Sequence, residues 1–63
     1  MPDTVKEWTS VASVEGWGHK AYTYPAITAE AARGMIRQTV ATATGLSVFD
    51  HRIVVPLPTE VAR

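Results

Sequence analysis

The sequence predicts a small α+β domain, a three-stranded sheet carrying one helix in the order ββαβ. Three observations support this. Two β-rich runs, 8–14 and 20–24, are separated by a glycine-bracketed turn. A capped helical stretch with one apolar stripe covers 29–44, and an alternating apolar run ends at residue 57.

Residues 1–7 read as a polar lead-in and 58–63 as a tail, both flexible flanks of a single domain spanning 1–63. The run WTSVASV at 8–14 is rich in β-branched and aromatic residues, which suit a pleated surface. Trp8, Ser10, Ala12 and Val14 share one face, with Trp8 expected in the core, and Val11 falls on the other. Gly16 and Gly18 permit the backbone to turn around Trp17. KAYTY at 20–24 reads as a second strand ending at Pro25, which has no N–H to give a ladder.

Thr28 suits a helix N-cap, because its hydroxyl can accept from an unpaired amide of the first turn. Glu30 lies at the positive end of the helix dipole. Ala32, Met35, Ile36, Thr39, Val40 and Ala43 recur at the three–four spacing of a buried stripe, and Gly45 suits a left-handed C-cap. The stretch 46–57 reads as one long strand, with Phe49, His51, Ile53, Val55 and Leu57 alternating onto the inner face and His51 a buried, hydrogen-bonded residue. Pro56 and Pro58 end its pairing. A right-handed crossover through the helix sets the first or second strand parallel to the last. This arrangement is half of a ferredoxin-like fold, which in full has two helices and four strands.

Composition narrows the function. A chain of 63 residues buries only about 60% of its unfolded surface. It has no cysteine to form a disulfide, and two histidines are too few to imply structural zinc. Association with a second copy or another protein is the remaining support for so small a core. Six basic and six acidic residues balance to zero, which disfavours autonomous nucleic-acid binding. No apolar run approaches the ~20 residues of a membrane span. The N-terminal residues lack the basic and apolar regions of a secretory signal, so the expected location is the cytoplasm. No cofactor or metal is implied.

A catalytic reading has little behind it. There is no cysteine nucleophile, no carboxylate pair at useful spacing, and the pattern around Gly16 and Gly18 does not make a phosphate loop. A nuclease built on His19, Lys20 and Tyr24 is the strongest enzyme reading and a weak one. The candidate contact residues are instead Trp17, Tyr22, Tyr24, Arg33, Gly34 and Arg37. Trp17 suits an exposed interface anchor. Tyr22 and Tyr24 share a strand face and read either as core or interface packing or, less well without a basic surround, as base-stacking platforms. Arg33 and Arg37, one turn apart, read as a clamp for a phosphate or carboxylate, or more simply as a solvated face beside Glu30. Gly34 costs about 1 kcal/mol against alanine inside a helix. Close approach of another backbone or ligand, or packing on the sheet, accounts for it.

The run Tyr24-Pro25, Thr28, Ala31-Ala32-Arg33-Gly34, an apolar helix and then His51-Arg52-Ile53-Val54-Val55-Pro56-Leu57 resembles the start of the Cas five family of CRISPR Cascade subunits, within the RAMP superfamily. The resemblance covers residues 20–57. The family holds the 5′ handle of the guide RNA, and its members are several times longer, with a thumb hairpin and glycine-rich loop that this sequence lacks. His19 and Lys20 do not match the positions where some members process RNA. The resemblance implies a non-catalytic partial copy of such a subunit, a small phage-derived anti-CRISPR protein that mimics or displaces it, or docks on its neighbours, in the bacterial cytoplasm. The alternative it implies is a small RNA-binding or Cascade-assembly module, a truncated relative acting as a homodimer.

Overall fold

A computed structural model describes residues 4–61. Strand β1 (Lys6–Val14) turns back into β2 (Gly18–Ala26), helix α1 (Ala29–Thr44) follows, and two short strands close the fold, β3 (Ile53–Val54) and β4 (Thr59–Glu60). The sheet is antiparallel with β1 at its centre: β2 lies along one side, and β3 and β4 share the other. Because β1 runs against both β2 and β3, those two are parallel to each other, as a crossover through the helix requires. The α+β class with one helix is as the sequence predicts; the sheet, expected with three strands, has four among the described residues, because 59–60 in the expected tail pair with β1, and every pairing is antiparallel.

Local chemistry explains the boundaries. Trp17 N–H donates to the Val14 carbonyl at 2.8 Å across the hairpin, with Gly16 at φ +86° in the left-handed region its turn requires. The Thr28 hydroxyl accepts from Ala31 N–H at 3.2 Å, capping α1 at its start. Gly45 ends it at φ +73°, and the next amide, Leu46 N–H, reaches back to the Ala41 carbonyl at 3.1 Å. Pro25 is accommodated inside β2, one residue beyond the expected end, because β2 is an edge strand.

The core lies between the even-numbered face of β1 and one stripe of α1. Ala12 and Val14 meet Ile36, Val40 and Ala41, with Ile53 and Val55 closing one side and Tyr22 and Tyr24 the other. The stripe differs from the expected one by rotation. Ala41 is buried while Met35 and Ala43 are exposed, because the 46–53 segment covers the Ala41 flank and nothing in the described chain covers the β2 flank. Trp8, expected in the core, is half-buried and donates its indole N–H to the Ala26 carbonyl at 2.9 Å.

The last strand departs most from expectation. Residues 46–52 form two successive turns, Asp50 N–H donating to the Ser47 carbonyl and Ile53 N–H to the Asp50 carbonyl. Alternation therefore begins only at Ile53. His51 and Phe49 point into solvent, and Leu57 is exposed between the two prolines. Ser13 pairs with Val54 and Thr9 with Thr59, so residues 55–58 span the stretch opposite 10–12 with one residue to spare, a bulge. Pro56 and Pro58 cannot donate there. Buried Ser10 donates its hydroxyl to the Pro56 carbonyl at 2.8 Å and holds the bulge to β1. Lys6 and Glu7, in the expected lead-in, and Thr59 and Glu60, in the expected tail, are strand residues tied by Lys6–Glu60 at 3.3 Å. Residues 1–3 and 62–63 lie outside the described chain.

Alanines make up much of this core, so its volume rests on a few larger side chains, and Ile36 is fully buried among them. Ile36→Ala is expected to cost about 2–5 kcal/mol, comparable with the whole stability of so small a core. Urea titration by circular dichroism should find the variant largely unfolded before denaturant is added.

Candidate interaction surface

The six residues singled out from the sequence do not converge on one site. Trp17 is 65% exposed at the hairpin tip. It shares a recess of about 300 Å3 with Lys20, Tyr22, Val40 and Thr44. Tyr22 and Tyr24 do share a face, and it is the face the helix covers. Both are half-buried against the core; the Lys20 ammonium sits 5.6 Å from the Tyr22 ring centre, and the Tyr24 hydroxyl is 2.6 Å from that of Thr39. The tyrosines are therefore occupied within the fold, and the open face of the sheet carries neither of them.

Arg33 and Arg37 lie on the opposite flank of α1. The Arg33 Nε donates to the Val55 carbonyl at 2.8 Å, and one Arg37 Nη reaches the Val48 and Ile53 carbonyls at 3.5 and 3.3 Å. The hydrogen bonds go to main-chain oxygens across the fold rather than to Glu30, the partner the solvated-face reading supplies. They staple the irregular 46–55 segment, whose carbonyls have few strand partners, to the regular helix. Gly34 is exposed, and a Cβ built there meets nothing within 4 Å. Packing on the sheet, one of the two explanations for this glycine, is thereby excluded.

Alternation places His19 on the sheet face opposite Lys20 and Tyr24, so the nuclease trio is divided between two faces. Among the described residues no group of three or more His, Asp or Glu side chains is placed to hold a metal. Among the described residues no helix is long and apolar enough to cross a membrane.

The feature that the six residues miss is the face of the sheet away from the helix. The odd-numbered residues of β1, Thr9, Val11 and Ser13, stand there beside Ala21 and Thr23 of β2 and Val54 of β3. Val11 is 55% and Val54 53% exposed. They are diagonal neighbours, since Ser13 pairs with Val54; Thr9, Ser13, Ala21 and Thr23 beside them are small and uncharged, and beyond Val54 the face ends at a recess lined by Glu15, His19, His51 and Arg52. Val11 was separable in the sequence by its parity against Trp8, Ala12 and Val14. Val54 was separable in the same way, by its parity against Ile53 and Val55, whereas Phe49 and His51 were not, because the turns that precede β3 interrupt the alternation.

One charged group is strongly perturbed. The Arg52 guanidinium donates to both Asp50 oxygens, at 3.0 and 2.8 Å, and the Arg52 main-chain N–H adds a bond of 2.9 Å. These bonds hold the Asp50 carboxyl well below the usual carboxylate range. The pair stabilises the turn that starts β3.

The chain matches no family model, no curated protein and no solved structure.

Two outcomes are expected. Gly34→Ala should raise stability by about 1 kcal/mol, read from the urea midpoint, because alanine has the higher helix propensity and open space to occupy. A depressed Asp50 pKa stabilises the fold above the unfolded value and is lost as pH falls. The stability gap between the native chain and Asp50→Asn should therefore be full at neutral pH and close as pH drops below about 4. Denaturant midpoints measured across that range check it, and a gap independent of pH would contradict the assignment.

Proposed function

We propose that this chain is a non-catalytic protein-interaction module that docks on a partner through its open sheet face. The observation that carries this reading is the exposure of Val11 and Val54 side by side, on a face without charges between them and opposite the helix. In a domain with so little core, apolar side chains left in water are a cost that a partner removes. An RNA-binding reading has less support, because RNA-binding sheets present aromatics on the open face. Here Tyr22 and Tyr24 face the helix.

For the partner, the resemblance to the first strand–helix–strand unit of the Cas five family favours subunits of a type I CRISPR Cascade. The β2–α1–β3 crossover, with β1 between its parallel strands, is compatible with half of a ferredoxin-like domain and supports the same reading. In that role the protein is an anti-CRISPR inhibitor, taking a Cascade subunit's place or covering its neighbours in a bacterial host. The arginine that helps carry the resemblance, Arg33, also has a purely internal role in holding the last segment.

Purified chain mixed with a type I Cascade should bind it and reduce target interference. Val11→Asp should weaken binding by tenfold or more, about 1.4 kcal/mol, with an unchanged circular dichroism spectrum. Absence of both binding and inhibition would rule out the Cascade partner. Tight binding by the Val11 variant would rule out the sheet face.

A further inference from the structure

We infer that a second copy of this chain adds to the free edge of β2, joining the two sheets antiparallel about a twofold axis at Ala21. Strand β2 is the outer strand on its side of β1, nine residues long, and no described strand pairs its far side. Main-chain direction along it follows from its neighbours. The Glu7 carbonyl accepts from Val61 N–H at 2.8 Å and Glu15 N–H donates to the Arg52 carbonyl at 3.2 Å, so the odd residues of β1 turn their main chain away from β2. Their partners on β2 turn away from β1 in the same way. Pro25, opposite Glu7, is one of them, consistent with its missing N–H. The groups left free on the edge are then both N–H and C=O of His19, Ala21 and Thr23.

Those three residues are self-complementary in one register. With Ala21 opposite Ala21 of the second copy, His19 meets Thr23 and Thr23 meets His19, so each free N–H and C=O finds a partner. Shifting the register by one hydrogen-bonded pair in one direction brings in Pro25, which has no donor, and in the other leaves Thr23 without an opposing free residue. An edge lysine ordinarily discourages strand addition. In this register Lys20 does not face itself. It stands across from Tyr22 of the second copy, the ring type it already approaches within its own chain. Tyr24 stands across from Gly18 of the second copy, which has no side chain to obstruct it.

The helix supports the same arrangement. The α1 flank above this edge, Met35, Gln38, Thr39, Thr42 and Ala43, carries no charge and with Tyr24 lines an open groove of about 520 Å3. Across the twofold axis that flank meets its own copy, and the interface is isologous. The open sheet face proposed for a partner stays free, since it lies perpendicular to the edge.

Sedimentation equilibrium on the full chain should give a mass twice 6.8 kDa. Ala21→Pro removes a donor that β1 does not use, and should yield a folded monomer by circular dichroism. Ala21→Lys and Ala21→Glu place like charges opposite each other, and each alone should raise the dissociation constant about fivefold. Mixing the two should restore a tight heterodimer. A monomer at every concentration would overturn the inference, as would a dimer unaffected by the charged variants or a mixture no tighter than either alone.

Discussion

Every strand in this fold pairs with β1, so the period-two alternation of that strand is the constraint from which the rest follows. Its even residues, Ser10, Ala12 and Val14, face α1, and they are small or β-branched enough to let Ile36 and Val40 descend onto the sheet. A slip of one residue would turn Thr9, Val11 and Ser13 toward the helix instead. Thr9 and Ser13 would then need partners inside an apolar core. The same alternation that builds the core also pushes Val11 outward. Core and open sheet face are thus two outcomes of one register.

The second dependency is the hold on the segment after the helix. Residues 46–58 contribute Ile53 and Val55 to the core, yet only Ile53 and Val54 pair with β1 there. Turns set by Ser47 and Asp50, the Ser10 bond to Pro56 and the two arginines of α1 replace a continuous ladder. This interrupted edge is also a protected one. Its bulge and two prolines leave few aligned donors for strand addition, while the β2 edge on the other side is continuous. The two sides of the sheet consequently differ in what they can bind.

Exposed apolar area is distributed in the same uneven way. Tyr22 and Tyr24, which have the size to anchor an interface, are committed to the core side, and Trp17 stands exposed at the hairpin tip. Phe49 is exposed on the turn before β3, and the open face of the sheet is aliphatic and shallow. Such a face suits packing on another protein better than gripping a nucleic acid, which requires positive charge or aromatic planes.

Local chemistry by itself determined the hairpin, the helix and its two caps. Thr28, Gly45, Gly16 and the three–four stripe act within a few residues of themselves, so they were legible before any contact was known. The placement of Tyr22 and Tyr24 on one face, and of Val11 on the other, followed from parity alone. Only the tertiary structure decided which flank of α1 is buried, because that depends on the 46–53 segment folding over Ala41. It also decided that His51 and Phe49 face solvent, since the Asp50 turn resets the alternation that their spacing suggests. Arg33 and Arg37 illustrate the difference: their spacing declares a pair on one side of a helix, but the carbonyls they bind are brought there by a chain reversal that no short-range pattern encodes.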